Sequence, residues 1–248
     1  MTIDSAAQWR YPEMPAGVVA VTTTRDAGVS RGRFAGLNLA DHVGDVPEAV
    51  AQNRSVLLRG LGCSDIQWLT QVHGTRCLHA SRASAMSAPE ADAAWTQERG
   101  LAVAVLTADC LPVVFAAADG SAVAVAHAGW RGLTGGVLEA TLRNLPMAAA
   151  ELVAWIGPAI GPARYEVGED VLVAAREASA AAASYFAPGN APGKYQFDLA
   201  GLARHLLLQL GVAEVRGADV CCASDARFYS YRRDGVTGRM ATLAWLAG

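Results

Sequence analysis

Apolar residues in this chain fall into short runs bounded by turn-forming residues, not into one long stretch. VVAVTTT (18–24), DIQWLTQV (65–72), LAVAVLT (101–107), PVVFA (112–116), SAVAVA (121–126), LVAWIG (152–157) and VRGADVC (215–221) are rich in β-branched and aromatic residues and predict strands. Helices are predicted where the apolar period lengthens. DVPEAVAQNRSVLLRGLG (45–62) opens with Asp45 three residues before Glu48, carries Pro47 in its first turn and closes on glycines, the signature of a capped helix. QFDLAGLARHLLLQLGV (196–212) repeats that pattern, with Asp198 as N-cap and Gly211 as the stop. A third helix is expected from Thr134 to Asn144, and the alanine-rich segments 147–155 and 174–188 read as ordinary helix and packing alanines. Strands come in adjacent groups with helices between the groups. The expected fold class is therefore α+β, with mixed, largely antiparallel sheets. Neither a repeat nor a linker divides residues 1–248, which are expected to form a single domain.

Composition narrows the function classes. Hydrophobic residues make up 52% of the 248, yet no apolar run approaches the roughly 18 residues a bilayer span requires, so no membrane partner is expected. The net charge is -3 and the 20 basic residues are scattered, which leaves no electrostatic footprint for nucleic acid and points to a small-molecule partner. The start, MTIDSAAQWRYPEMP, lacks the basic and apolar regions of a secretory signal. A cytoplasmic location follows, in keeping with five cysteines whose odd number and spacing make no disulfide framework.

The candidate chemistry sits where the apolar runs end. Asp119-Gly120 is a two-residue hairpin signal, so PVVFA and SAVAVA should pair antiparallel. Counting outward from that turn puts Pro112 opposite His127 and Cys110 opposite Gly129. Cys110 and His127 are then diagonal neighbours, about 7–8 Å apart at Cα and on the same face. His73, in TQVHGT, closes another predicted strand and precedes Gly74, where backbone can turn tightly. Two imidazoles and a thiolate suit Zn²⁺ and leave its fourth tetrahedral position open; copper is also drawn to such donors. A second reading makes Cys110 a nucleophile, His127 its base and Asp109 or another acid the orienter.

TTTRDAGVSRGRFAGLNLADHVGDVPEAVAQNR, TQVHGT, ADAAWT, GLAVAVLTADCLPVVF, VAVAHAGWRGLTGGVLEATL, AWIGPAIGPARYEVG and FYSYRRDGVTGRMATLAWL resemble, in order and spacing, the motifs of the YfiH family, from Thr22 to Leu246. Members of that family have been called laccase-like polyphenol oxidases, purine nucleoside phosphorylases and peptidoglycan editing factors. The resemblance implies an α/β/β/α layered sandwich and a zinc site made by His73, Cys110 and His127. It also implies phosphorolysis of adenosine, inosine, guanosine or methylthioadenosine, and deamination of adenosine to inosine. The alternatives within the family are hydrolytic removal of L-serine from a UDP-linked muramyl precursor and copper-dependent polyphenol oxidation. A single His, Cys, His set does not supply the several centres of a multicopper oxidase.

Arg25, Asn38, Arg54 and Gln71 lie in these motifs and are candidate substrate-binding residues, arginine for phosphate and amide for a purine edge or ribose. Asp109, beside a ligand, is a candidate catalytic proton carrier or acceptor for an imidazole. Arg131 and Arg232-Arg233 are further candidates for an anion, against the alternative of surface pairs. His42 and His79 have no companion at ligand spacing and read as structural or exposed. Cys221-Cys222 read as buried thiols, and Phe228–Tyr231 as a strand pattern. Two departures stand out: the family commonly has two glycines where this chain has Ala27-Gly28, and cysteines where it has Ala163-Arg164.

Overall fold

Most strands of this protein, in a computed structural model that describes residues 9–248, are collected into two large sheets that share an apolar layer. Residues 1–8, part of the stretch read for an export signal, lie outside the described residues. The first sheet contains β1 (Val18–Thr22), β2 (Asp65–Gln67), β5 (Leu101–Thr107) and β13 (Met240–Leu246), in the order β1-β13-β5-β2. The second contains β3 (Cys77–His79), β4 (Ala93–Thr96), β6 (Leu111–Ala117), β7 (Val123–Ala128), β8 (Leu152–Ile156) and β12 (Glu214–Gly217), in the order β12-β8-β6-β7-β4-β3. Pairing is antiparallel except at β2–β5, β12–β8 and β3–β4, so the sheets are mixed and largely antiparallel. A small third sheet joins β9 (Glu166–Gly168), β10 (Phe186–Pro188) and β11 (Lys194–Phe197).

Side-chain alternation sorts each strand between two cores. In β5, Val103 and Val105 face the layer between the sheets, while Ala102, Ala104 and Leu106 face outward. In β6, Val114 and Ala116 face inward, and Val113, Phe115 and Ala117 outward. Helix α1 (Pro47–Gly60) covers the outer face of the first sheet through Leu57. The outer face of the second is covered by α2 (Trp130–Gly135), α3 (Val137–Asn144), α4 (Glu169–Ala178) and α5 (Leu199–Gln209), which contribute Leu133, Leu138, Val171 and Leu202. A single turn, α6 (Tyr231–Asp234), precedes β13. The result is the α/β/β/α sandwich. Among the described residues no helix is long and apolar enough to cross a membrane.

Several local expectations change. The strand expected over 65–72 stops at Gln67, because farther along the Gln71 side chain takes the place of backbone: its Oε1 accepts from Leu106 N (2.7 Å) and its Nε2 donates to Leu106 O (2.9 Å). The helix expected from Thr134 begins earlier, at Trp130, and breaks at Gly136, where φ is 94°. Asp45 is not the N-cap of α1. Val46 holds that position, and the Asp45 carboxylate instead accepts from the Ser30 hydroxyl, the Asn38 amide and Val46 N. Asp198 does cap α5, accepting from Gly201 N at 2.8 Å. The strand expected over 215–221 ends at Gly217, where Gly217 and Ala218 both take positive φ. Phe228–Ser230 are buried but irregular, and Ser230 caps α6 by accepting from Arg233 N.

Ala27 adopts φ 59°, at the position where the resemblance implies a glycine. A left-handed alanine costs ~1–2 kcal/mol, part of which glycine returns through its freer unfolded chain. Ala27→Gly is therefore expected to stabilise the protein by about 0.5–1 kcal/mol, read from the midpoint of urea unfolding. The neighbouring Gly28 tolerates no such exchange in reverse, because a Cβ there would run into the Gly36 carbonyl.

Candidate metal centre

Three side chains from three segments meet at one end of the second sheet. His127 is carried by β7, and the observed register pairs it with Pro112 of β6, as counting from the Asp119-Gly120 turn requires. Cys110 immediately precedes β6, and His73 lies in the loop between β2 and β3. The candidate ligand atoms of His73, Cys110 and His127 lie within 4.8 Å of one another. His73 Nε2 is 3.9 Å from Cys110 Sγ, and the two imidazole rings meet edge-on with centroids 4.8 Å apart. Gly129 makes this approach possible: a Cβ there would lie 2.9 Å from Cys110 Sγ and 3.1 Å from His73 Cδ2. That is the local reason a glycine stands two residues after the histidine in HAGW.

Backbone strain is concentrated at the same place. His73 has φ 60° and Asp109 φ 90°, conformations that cost non-glycine residues about 1–3 kcal/mol and persist only when their surroundings enforce them. The electrostatics favour an ionised Cys110. Burial alone would raise the Cys110 thiol, but His127 and His73 outweigh it and bring the group down to about 6. Burial would lower His127, yet the Cys110 thiolate and Asp92 raise it. A thiolate and two imidazoles at this separation form a donor set that fits Zn²⁺.

Asp92 was not singled out from the sequence, yet it touches both histidine segments. Fully buried, it accepts from Val72 N (3.1 Å), His73 N (3.0 Å), Gly74 N (2.7 Å) and His127 Nδ1 (2.8 Å). The only sequence signal was an acid set in the otherwise apolar ADAAW. Asp109 turns its carboxylate to Arg232 N at 2.6 Å and leaves Oδ1 buried without a hydrogen-bond partner among the described residues. Burial is the main cause that raises its carboxyl, only partly offset by that backbone hydrogen bond.

The three candidate ligand residues line a cavity of about 400 Å³ together with Asp109 and Gln71. Arg131, Arg232 and Arg239 supply its positive charge, and Trp130, Tyr165 and Tyr231 its aromatic wall. The Arg131 guanidinium lies over the Trp130 ring at 4.3 Å. Arg232 donates to Glu166 O, and Arg239 to Thr237 O and Gly238 O. His42, exposed as expected for a histidine with no companion at ligand spacing, is also at the cavity wall. His79 stacks on Trp95. Gln71 reaches the cavity with its amide committed to Leu106.

Arg25, Asn38 and Arg54 are not brought into this cavity. Arg25 donates to Ala35 O and lies over Tyr229. Asn38 is fully buried, its amide spent on Ala40, Asp45 and Arg239 N. Arg54 donates to Leu39 O, pairs with Asp41 and stacks on Trp68. Arg233 is held by Asp234 and by the carbonyls of Cys222, Asp225 and Phe228. All five cysteines are free; Cys222 is buried, but Cys221 is only partly so and accepts from Gly161 N.

Residues 19–247 match the family model described as multi-copper polyphenol oxidoreductase laccase. The chain is 47% identical over 241 residues to a Pseudomonas aeruginosa protein named purine nucleoside phosphorylase, covering 96% of this chain and 98% of the other. It is 43% identical over 242 residues to purine nucleoside phosphorylase YfiH of Escherichia coli K12, covering 96% and 97%. The crystal structure of Neisseria meningitidis protein NMB0706 superimposes with a TM-score of 0.93 at 44% identity, over 97% of this chain and 99% of that one.

Proposed function

This chain belongs to the multi-copper polyphenol oxidoreductase laccase family, that of the YfiH proteins, and from that membership we propose that it is a zinc-dependent enzyme of purine nucleosides. Its reactions are phosphorolysis of adenosine, inosine, guanosine and methylthioadenosine to base and sugar 1-phosphate, and deamination of adenosine to inosine. The observation that carries this reading is the convergence of His73, Cys110 and His127 on a cavity that also holds three arginines. Relatives named purine nucleoside phosphorylase at 43–47% identity support it.

His73, Cys110 and His127 would hold the metal. Zinc is preferred to copper because two imidazoles and one thiolate match its tetrahedral chemistry, and the single set falls short of a multicopper oxidase. When bound, zinc supplies a Lewis acid that acidifies water and offsets negative charge. Arg131, Arg232 and Arg239 are assigned to phosphate, which phosphorolysis brings beside a sugar that becomes cationic. Trp130, Tyr165 and Tyr231 offer flat apolar surface to the purine. Asp109, with its carboxyl raised by burial and Oδ1 unpartnered, is assigned to proton transfer. Arg25, Asn38, Arg54 and Gln71 act on this reading by shaping the loops around the cavity, through the backbone contacts they make. Five free thiols support a cytoplasmic setting.

The test is metal analysis of protein purified without added metal, with chromatography of each nucleoside incubated with and without phosphate. Stoichiometric zinc, sugar 1-phosphate formed only with phosphate, and inosine formed from adenosine without it are the expected results. A zinc-loaded protein that turns over no nucleoside but releases serine from a muramyl-serine precursor would overturn the assignment in favour of an editing hydrolase.

A further inference from the structure

We infer that Asp92 is a positioning residue that aligns both histidine ligands through one carboxylate, an inference that rests on the metal reading above. The two histidines reach the site from unrelated segments. His127 stands on a strand held by its register, but His73 stands on a loop in the left-handed backbone region, which it would leave unless constrained. Asp92 Oδ1 accepts from both His73 N and His127 Nδ1; Oδ2 accepts from Val72 N and Gly74 N. One fully buried group thus fixes the loop backbone on either side of His73 and the ring of His127. Because Nδ1 of His127 is engaged, Nε2 is the nitrogen left to face Cys110 and the metal. Gln71 secures the other approach to the loop through its paired contacts with Leu106 on β5. His73 is consequently held between Asp92, which immediately precedes β4, and β5, through Gln71.

The chemistry of the contacts makes the assignment specific. All four groups that meet the Asp92 carboxylate are N–H donors, so each of its oxygens must accept twice. Asparagine has the same shape but would turn an NH₂ toward two of those donors, leaving buried donors facing one another. Aspartate is therefore required for its two acceptor oxygens as well as for its charge.

The probe is Zn²⁺ alone, competed against a chromophoric chelator, on wild type and Asp92→Asn, with far-UV circular dichroism to verify that the variant is folded. Loss of an acceptor that orients a metal-bound histidine typically costs about 10–100-fold in metal affinity, and a drop of that size is expected for Asp92→Asn. A folded Asp92→Asn that binds zinc within threefold of wild type would overturn the assignment. A second measurement needs no variant: long-range ¹H–¹⁵N spectra of zinc-loaded wild type should show His127 protonated at Nδ1 and metal-bound through Nε2. The opposite tautomer would overturn the assignment even if Asp92→Asn fails to fold. Wild type with no zinc affinity would instead overturn the metal reading, and this assignment with it.

Discussion

Cys110→Ala is expected to lose stoichiometric zinc and, with it, both phosphorolysis and deamination. The thiolate is the only sulfur and the only anion among the three donors, and its neighbours His73 and His127 are arranged around it. Removing it leaves two imidazoles, which bind Zn²⁺ far more weakly than the full set. Because changes to groups that merely orient a ligand already cost about 10–100-fold in affinity, loss of the ligand itself should exceed 100-fold. Metal content after dialysis and turnover of adenosine with and without phosphate are the measurements. A Cys110→Ala protein that keeps full zinc occupancy would sink the metal centre. The nucleophile reading separates by labelling: a metal-bound thiolate should alkylate slowly until a chelator strips the metal, whereas rapid inactivation of the zinc-loaded protein by a thiol reagent would make Cys110 the nucleophile.

Arg131→Ala should divide the two reactions. Its guanidinium stacks on Trp130 at the cavity wall. A charge-assisted hydrogen bond to phosphate is worth about 1.5–3 kcal/mol, which corresponds to roughly 10–100-fold in rate. Phosphate-dependent cleavage of inosine should fall by that factor, while conversion of adenosine to inosine, which uses no phosphate, should stay within about threefold. Equal losses in both reactions would refute the division, and a variant unaffected in either would remove Arg131 from the phosphate site.

The geometry of the centre was partly legible in the chain itself. The Asp119-Gly120 turn sets the β6–β7 register, and that register brings Cys110 to the same end as His127. His73 was suggested as the end of a strand, but it lies in a loop whose shape depends on contacts with Asp92 and Leu106, far away in sequence. Asp92 was not legible because its four donors come from residues 72–74 and 127, and no spacing rule links them. Arg25, Asn38 and Arg54 illustrate the converse. Each is a polar residue in a motif-rich segment, but backbone groups outside the cavity engage it: Arg25 and Arg54 donate to the carbonyls of Ala35 and Leu39, and Asn38 donates to Ala40 O and accepts from Arg239 N, whereas the arginines at the cavity include Arg239, which immediately precedes β13. Strands β4 and β13 are buried on each face, as β5, β6 and β7 are, but their runs AAWT and MATLAWL hold no valine or isoleucine and so carry little of the β-branched signal that marks the other three.

The order β1-β13-β5-β2 also has a consequence for synthesis on the ribosome. β13 is the last of these four strands to be made, yet it lies between β1 and β5 and is the hydrogen-bonding partner of both. Until it emerges, β1 and one side of β5 present unpaired, strongly apolar strand edges, the kind of surface on which nascent chains stick to one another. The same late segment carries Arg232 and Arg239 to the cavity, so closure of the sheet and completion of the site belong to a single late event in the life of the chain.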